Sequence, residues 1–316
     1  MYSYFRNFII TGLVIWVLLF AFFMRDLHFL ALIFIAFTLG LRHGFDADHI
    51  IAIDNVTRSL ASRGKQAIST GLFFALGHSS VVFLMTLLIL FGVVLVQEQH
   101  SMILSSGALI GACISILFLW LTGMMNLQVM VKLIRDKRRA HQHKPTGIIS
   151  KCAYPLLRLV DKPSKMYAVG FLFGLGFDTA TEIALLGIAA TSVINGVAIG
   201  SILALPIAFA LGMSLVDSID AAIMTKAVHW ACRDHEHYRL YMILITAVAF
   251  VASMLVAGVE AFSLIDANGG EIISALVNLF DQYSELIGMG LMLIFIVMAS
   301  GIYLLRSKPV SVRQER

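Results

Sequence analysis

Imidazole and carboxylate side chains are concentrated in one short run of an otherwise apolar segment. The sequence at 41–50 is LRHGFDADHI, and it carries His43, Asp46, Asp48 and His49. Imidazole is a preferred ligand of Zn, Cu, Fe and Ni, whereas sites made of oxygen alone suit Mg, Ca and Mn. No cysteine lies nearby, which argues against Cu(I). These residues therefore predict a site for a transition-metal dication of the Ni(II) or Co(II) class, and the ligand chemistry alone is also compatible with Zn(II).

Other ionisable side chains lie beside this cluster and in three further apolar segments. A charged residue at the centre of a bilayer costs at least about 2.5 kcal/mol, so such groups must pair with one another or bind a cation. A lone buried histidine or aspartate is more often structural, and the acidic pairs fit direct ligation as well as a supporting role. We predict that the following residues support transport: Arg42, His78, Asp178, Glu182, Asp217 and Asp220.

The composition is that of a protein with many membrane-spanning segments. Of the 316 residues, 59% are apolar and 13% are charged, and the mean hydropathy is +0.89. These values exclude a soluble enzyme, a nucleic-acid-binding module and a disordered chain. A transmembrane helix needs about 20 mostly apolar residues. We predict an all-α polytopic membrane protein with eight transmembrane helices, at about 7–24, 29–53, 67–96, 103–128, 167–191, 197–228, 240–262 and 286–305.

The distribution of basic residues predicts how the chain crosses the membrane, because Lys and Arg concentrate in cytoplasmic segments. With the N-terminus inside, all but two of the 23 Lys and Arg residues lie in inside segments, Arg58 among them; the exceptions are Arg25 and Arg42. We therefore predict an N-in, C-in topology in the cytoplasmic (inner) membrane. The predicted parts are a single transmembrane transport domain over 1–316, a basic cytoplasmic loop at 129–166, a cytoplasmic tail at 306–316 and an acidic outer loop at 263–285.

The spacing of the first cluster is not that of a regular helix. His43 and Asp46 share a helix face, as do Asp46 and His49, but the two histidines point in different directions. Gly44 lies within the motif and tolerates unusual backbone dihedral angles. We predict a kink or an unwound turn near 40–46, a feature that lines the binding sites of many transporters. The alternative is that the motif divides its contacts between the ion and neighbouring helices.

Two pairs of similar sequences indicate an internal repeat. GFDADHI at 44–50 is similar to GFDTATEI at 176–183, and FALGHSSVV at 74–82 is similar to FALGMSLVD at 209–217. The repeat relates predicted helices 2–3 to helices 5–6, and a shift of three helices reverses the orientation in the membrane. This pattern is typical of inverted-topology transporters, whose site lies at the repeat interface. Chance similarity between glycine-rich apolar helices is the alternative explanation.

These motifs resemble those of the nickel/cobalt transporter family (NiCoT). The hallmark of that family is His-x4-Asp-His within a run similar to RHAxDADHI, and the run at 42–50 differs visibly only in having Gly44 where alanine is usual. Three further family motifs match: LGHSSVV at 76–82, LGFDTATE at 175–182 and GMSLVDSID at 212–220. The four motifs occur in order on four of the eight predicted helices, so the resemblance covers most of the chain.

The resemblance implies high-affinity, low-capacity import of Ni(II), Co(II) or both across the cytoplasmic membrane. It implies that the metal is handled by His43, Asp46, Asp48 and His49. A nucleotide-binding GxxxxGK[ST] motif is absent from the sequence, so we expect a secondary transporter driven by membrane potential or proton motive force. The expected partners are the metal ion, membrane lipid and, as a candidate, a cytoplasmic metallochaperone; no prosthetic group is expected.

Three other functions compete with metal import. An exporter of related fold would use the same ligands, so the ligands alone do not give the direction of transport. An intramembrane metalloprotease is disfavoured because the chain lacks HExxH, and His43 and His49 are not four residues apart. The imidazole cluster argues against a carrier for a non-metal substrate.

Overall fold

The computed structural model describes residues 2–92, 98–135, 160–176, 179–231, 235–265 and 271–306. These residues form helices and short connections and contain no strand, as predicted for an all-α protein. A 3-10 turn at Pro163–Lys165 precedes the sixth α-helix. The helices are α1 (Tyr2–Phe23), α2 (Leu27–His43), α3 (Ala47–Ser62), α4 (Thr70–Leu90), α5 (Glu98–Arg135), α6 (Met166–Phe173), α7 (Ala180–Ile194), α8 (Ile199–Ile202), α9 (Ala204–Ala231), α10 (His235–Ile265) and α11 (Glu271–Arg306).

Several of these helices are long and apolar enough to cross a bilayer. Within the described ranges, five stretches qualify by length and composition, and a sixth qualifies if the bent pair α2 and α3 forms one span. Ala180–Ile194 and Gln282–Met298 are apolar but shorter. The five stretches are Ser3–Phe23, Thr70–Leu90, Leu109–Arg135, Ile199–Trp230 and Arg239–Leu264.

The predicted break in the second span is confirmed. Helix α2 ends at His43, helix α3 begins at Ala47, and the two axes differ in direction by 60°. Asp46 has an extended backbone, with a ψ of 140°, and forms the N-cap of α3. Helix α6 ends at Phe173 and helix α7 begins at Ala180, and residues 177–178 between them lie outside the described residues. We refer to α2 with α3 as the first broken segment and to α6 with α7 as the second. Each broken segment therefore places a helix end and a helix start inside the bundle.

Helix α9 is the central packing element, since it contacts α2, α3, α4 and α11. Its contact with α2 and the contact of α4 with α6 are built in the same way. In both pairs, a glycine on each helix lies so close to the partner's backbone that a Cβ atom would collide with a carbonyl oxygen. The four contacts are Gly40 with Phe209, Gly212 with Phe37, Gly170 with Phe74 and Gly77 with Tyr167.

The repeated contacts fall on the sequences that were aligned above. The first and fourth residues of the two FALG sequences are Phe74 and Gly77 on α4, and Phe209 and Gly212 on α9. Thus α2 of the first broken segment packs against α9, the long helix after the second segment. In the same way, α6 of the second broken segment packs against α4, the helix after the first.

The second predicted span, 29–53, ends too early. Helix α3 continues to Ser62, and Arg58 is a buried residue of this helix that is only 4% exposed. Its guanidinium donates hydrogen bonds to the side-chain oxygens of Asn55 and Asn126, at 2.7 and 2.9 Å. Polar partners from α3 and α5 therefore allow an arginine to lie within the bundle. Helix α11 begins at Glu271, so the predicted outer loop 263–285 is helical over much of its length.

Candidate metal site

Three histidines converge where the first broken segment meets α4. His43 is the last residue of α2, His49 lies in the first turn of α3, and His78 lies in the middle of α4. All three are buried, and each offers one ring nitrogen such that these nitrogens lie within 4.8 Å of one another. The ring centroids are 4.6 to 4.8 Å apart. Three imidazoles at this spacing could ligate one metal ion jointly, because imidazole is a common ligand of divalent transition metals.

His43 is the most highly connected of the three imidazoles. Its Nδ1 atom lies 2.7 Å from Oδ2 of Asp46 and 3.1 Å from Oγ1 of Thr181 on α7. Its Nε2 atom lies 2.9 Å from Nε2 of His78. The carboxylate of Asp46 is held in turn by the hydroxyl of Ser284 on α11, at 3.3 Å. The break after His43 thus allows one side chain to contact three other helical elements.

Glu182 joins the second broken segment to the histidines. It lies in the first turn of α7, and its Oε1 atom is 2.8 Å from Nε2 of His78. Its other oxygen accepts a hydrogen bond of 2.9 Å from the hydroxyl of Thr179, the N-cap residue of α7. The positive end of the α7 dipole attracts the negative charge of a carboxylate in this first turn. Glu182 approaches the same Nε2 atom that faces His43, so its carboxylate adds negative charge where the imidazoles meet.

His49 has no hydrogen-bond partner in the described structure. Both of its ring nitrogens are buried and unpaired, and Nδ1 lies 3.9 Å from Oδ1 of Asp217 on α9. The ring of Phe74 forms an edge contact with the imidazole, at a centroid distance of 4.9 Å. A buried polar atom without a partner costs about 1–3 kcal/mol, so an imidazole in this state indicates a ligand that completes its contacts.

The remaining predicted residues have different positions. Asp48 is half-buried in the first turn of α3 and is not part of the three-histidine cluster, whereas Asp217 and Asp220 are fully buried on α9. The exposed side chain of Arg42 forms a bidentate pair with Glu285 of α11, at 2.8 and 2.9 Å. Asp178 lies outside the described residues.

Sequence reasoning did not identify every polar side chain of this region. Thr179 and Thr181 belong to the same LGFDTATE motif as Glu182. Hydroxyl groups so close in sequence to an acidic residue of an apolar segment could have been predicted to hydrogen-bond with the site. The sequence around Ser284 does not indicate a role in the site, because only the fold brings α11 next to Asp46. Asp54, a buried residue of α3, was also missed because the polar run IDNVTR resembles the end of a span.

The chain is similar to known nickel-transport proteins. Residues 29–305 match the family described as high-affinity nickel-transport protein (NicO). The chain is 37% identical over 309 residues to the hydrogenase nickel incorporation protein HupN of Bradyrhizobium diazoefficiens, covering 93% of this chain and 80% of that protein. It is 37% identical over 259 residues to the high-affinity nickel-transport protein NixA of Helicobacter pylori, covering 77% of this chain and 78% of that protein.

The relatives also include a protein named for cobalt. The cobalt transport protein NhlF of Rhodococcus rhodochrous is 33% identical over 245 residues, which cover 73% of this chain and 70% of that protein. No solved structure matches the chain. The family and these relatives are transporters and not enzymes, which removes the intramembrane metalloprotease from consideration. With its match over most of its length and its several apolar helices, this multi-pass membrane protein belongs to the high-affinity nickel-transport protein family.

Proposed function

We propose that this protein imports Ni(II), Co(II) or both across the cytoplasmic membrane and binds the ion at the three buried histidines. The observation that carries the proposal is the convergence of His43, His49 and His78, with one nitrogen from each within 4.8 Å of the others. The names of the relatives, which include nickel and cobalt transporters, support the choice of these two metals. Buried imidazoles bind such dications well, and the surrounding apolar bundle excludes competing water.

The residues have distinct roles in this proposal. His43 and His49 are metal ligands, as the sequence predicts, and His78 is a third ligand rather than only a supporting residue. Asp46 orients His43 through Nδ1, the nitrogen opposite the one that faces His78, and Glu182 supplies negative charge beside Nε2 of His78. Asp48 supplies an additional carboxylate at the start of α3, and Asp178 retains its predicted supporting role.

We also propose that the chain crosses the membrane eight times, with both ends inside, and that an inverted repeat relates spans 2–3 to spans 5–6. Two broken segments and the matching glycine contacts of α4 with α6 and of α9 with α2 support the repeat. In such transporters one repeat rocks against the other around a fixed site. The histidines lie where the two broken segments meet, which suits alternating access from the two sides.

The membrane potential is sufficient to drive uptake in this account. A dication that moves inward gains about 4.6 kcal/mol per 100 mV, twice the value for a single charge. Proton motive force is the alternative driving force. We place the protein in the inner membrane as one transport domain, with the basic segment 129–166 and the tail 306–316 in the cytoplasm, next to lipid headgroups and a candidate metallochaperone.

Accumulation of radioactive nickel in cells tests this function and its direction. Cells that express the protein should accumulate nickel, and His43→Ala and His78→Ala should abolish most of that accumulation. His28→Ala is the matched control, because His28 is an exposed imidazole on the same helix as His43. Nickel depletion would indicate the exporter instead. Full uptake by His43→Ala at normal membrane abundance would refute the assignment of the site.

A further inference from the structure

A line of buried carboxylates continues from the histidines between α3 and α9. Asp217 lies beside His49, Asp220 follows one turn later on α9, and Asp54 lies five residues after His49 on α3. Each of the three aspartates is at most 1% exposed. Both oxygens of Asp54, both of Asp217 and one of Asp220 have no hydrogen-bond partner in the described structure. The metal site proposed above does not account for Asp54 or Asp220.

Along both α3 and α9, the carboxylates lie on the C-terminal side of the contact between His49 and Asp217. At a rise of about 1.5 Å per residue, Asp54 lies about 7.5 Å beyond His49 along α3, and Asp220 lies about 4.5 Å beyond Asp217 along α9. The helices pack against each other, and Asp220 interacts electrostatically with both Asp54 and Asp217. The carboxylates therefore form one group, which leads from the histidines toward the C-terminal ends of α3 and α9.

The described residues neutralise only part of this group. Arg58 approaches Asp54, with 3.3 Å between Nη2 and Oδ2, but the hydrogen bonds of Nη2 go to Asn55 and Asn126. Of the three carboxylates, Arg58 forms an ion pair with Asp54 alone, and its Nη1 atom has no hydrogen-bond partner among the described residues. Buried carboxylates without partners are costly, and such groups are retained in membrane proteins where they line an ion path. A cation that visits the group would remove this cost.

We propose that Asp54 and Asp220, with Asp217 shared with His49, form a second binding station for the transported metal dication. This inference rests on the proposed function and extends it by one site. An all-oxygen station binds Ni(II) or Co(II) less tightly than imidazoles do, so it can accept the ion from His49 and release it again. Arg58 balances Asp54 when the station is empty. The ion would move down the line of carboxylates rather than leave the histidines directly into water.

A purely structural role for Asp54 makes a different prediction. If Asp54 served only to neutralise Arg58, removing both charges together would restore a working protein, because no unpaired charge would remain. If Asp54 is a metal ligand, the double variant Asp54→Asn with Arg58→Gln still lacks a ligand. Nickel uptake by this double variant should then stay at least about tenfold below that of the unsubstituted protein, equivalent to about 1.4 kcal/mol. Recovery to within twofold would overturn the proposal.

Equilibrium binding of radioactive Ni(II) to the purified full-length chain in detergent counts the sites directly. The unsubstituted protein should bind about two ions, one tightly and one weakly, and Asp54→Asn with Asp220→Asn should lose the weak ion only. His43→Ala with His49→Ala should lose the tight ion. Glu260→Gln, which neutralises a carboxylate near Ser115 away from the line, should still bind two.

Binding of a single ion by the unsubstituted protein, or of two ions by the aspartate variant, would overturn the station. Should Asp54→Asn fail to accumulate, Asp220→Asn alone provides the same test, since Asp220 forms no ion pair with any described residue. Absence of nickel uptake by cells that express the unsubstituted protein would refute the proposed function instead, and the two failures are thus separable.

Discussion

Replacement of Glu182 by glutamine removes one negative charge beside the histidines while the shape of the side chain is kept. In the structure, Oε1 of Glu182 lies 2.8 Å from Nε2 of His78 and 3.9 Å from Nε2 of His43. A glutamine in the same position can still accept the hydrogen bond from Thr179 with its amide oxygen. The substitution therefore tests the charge of Glu182 and leaves its packing largely unchanged.

The expected magnitude follows from the contact with His78. A hydrogen bond to a charged group contributes about 1.5–3 kcal/mol, against about 0.5–1.5 kcal/mol for a neutral pair. The difference of about 1–2 kcal/mol corresponds to roughly 5- to 30-fold in affinity. Loss of a carboxylate next to metal-binding imidazoles costs about 10–100-fold in comparable sites. We therefore expect the half-saturating nickel concentration to rise by about tenfold or more in Glu182→Gln.

Initial rates of radioactive nickel uptake over a range of nickel concentrations measure this effect. Protein abundance in the membrane is quantified in parallel, so that a loss of expression is separated from a loss of affinity. Glu260→Gln is the control, since it neutralises a carboxylate that accepts a hydrogen bond from Ser115 and lies on α10. An unchanged half-saturating concentration in Glu182→Gln would refute the argument that this charge supports the imidazoles.

Three other predictions concern pH, packing and the surface pair. Imidazole must be neutral to bind a metal, so protons compete with the ion and uptake at constant membrane potential should fall on acidification; uptake that does not respond to acidification would contradict imidazole ligation. Gly77→Leu should reduce the amount of folded protein in the membrane several-fold, because its side chain would collide with the backbone of Tyr167. Gly258→Ala, where nothing lies within 4 Å of the added Cβ, should have no such effect, and equal abundance of both variants would count against the close helix contact. Arg42→Ala should change uptake by less than about fivefold, because the pair with Glu285 is exposed and such pairs contribute about 0–1 kcal/mol; complete loss of uptake would instead assign Arg42 a direct role.

The local part of the site was predictable from the sequence. His43, Asp46 and His49 lie in one short run, and their mismatch with a regular helix, together with Gly44, predicted the break that the structure contains. The contribution of His78 as an equal member of the cluster was not predictable, because it depends on how closely α4 approaches the break. Ser284 is a stronger example, since it lies more than 200 residues from Asp46 and reaches it only through the packing of α11.

Hydropathy was a poorer guide to the ends of helices than to their existence. Helix α3 runs nine residues past the predicted end at 53, through Asp54, Asn55 and Arg58. Asn55 and Arg58 are buried because Asn126 of α5, together with Thr122 and Ser253, supplies their hydrogen-bond partners. A hydropathy profile averages over one segment and contains no information on such partners, so a polar run inside a bundle is easily taken for a loop.

X-ray absorption spectroscopy of the purified protein loaded with about one equivalent of Ni(II) shows which atoms bind the ion. We expect nitrogen and oxygen donors around the metal, with the multiple-scattering signature of about three imidazoles that weakens in His78→Ala but is unchanged in His28→Ala. A shell made of oxygen alone, or a signal that does not respond to loss of His78, would contradict the proposal that the buried histidines bind the transported ion.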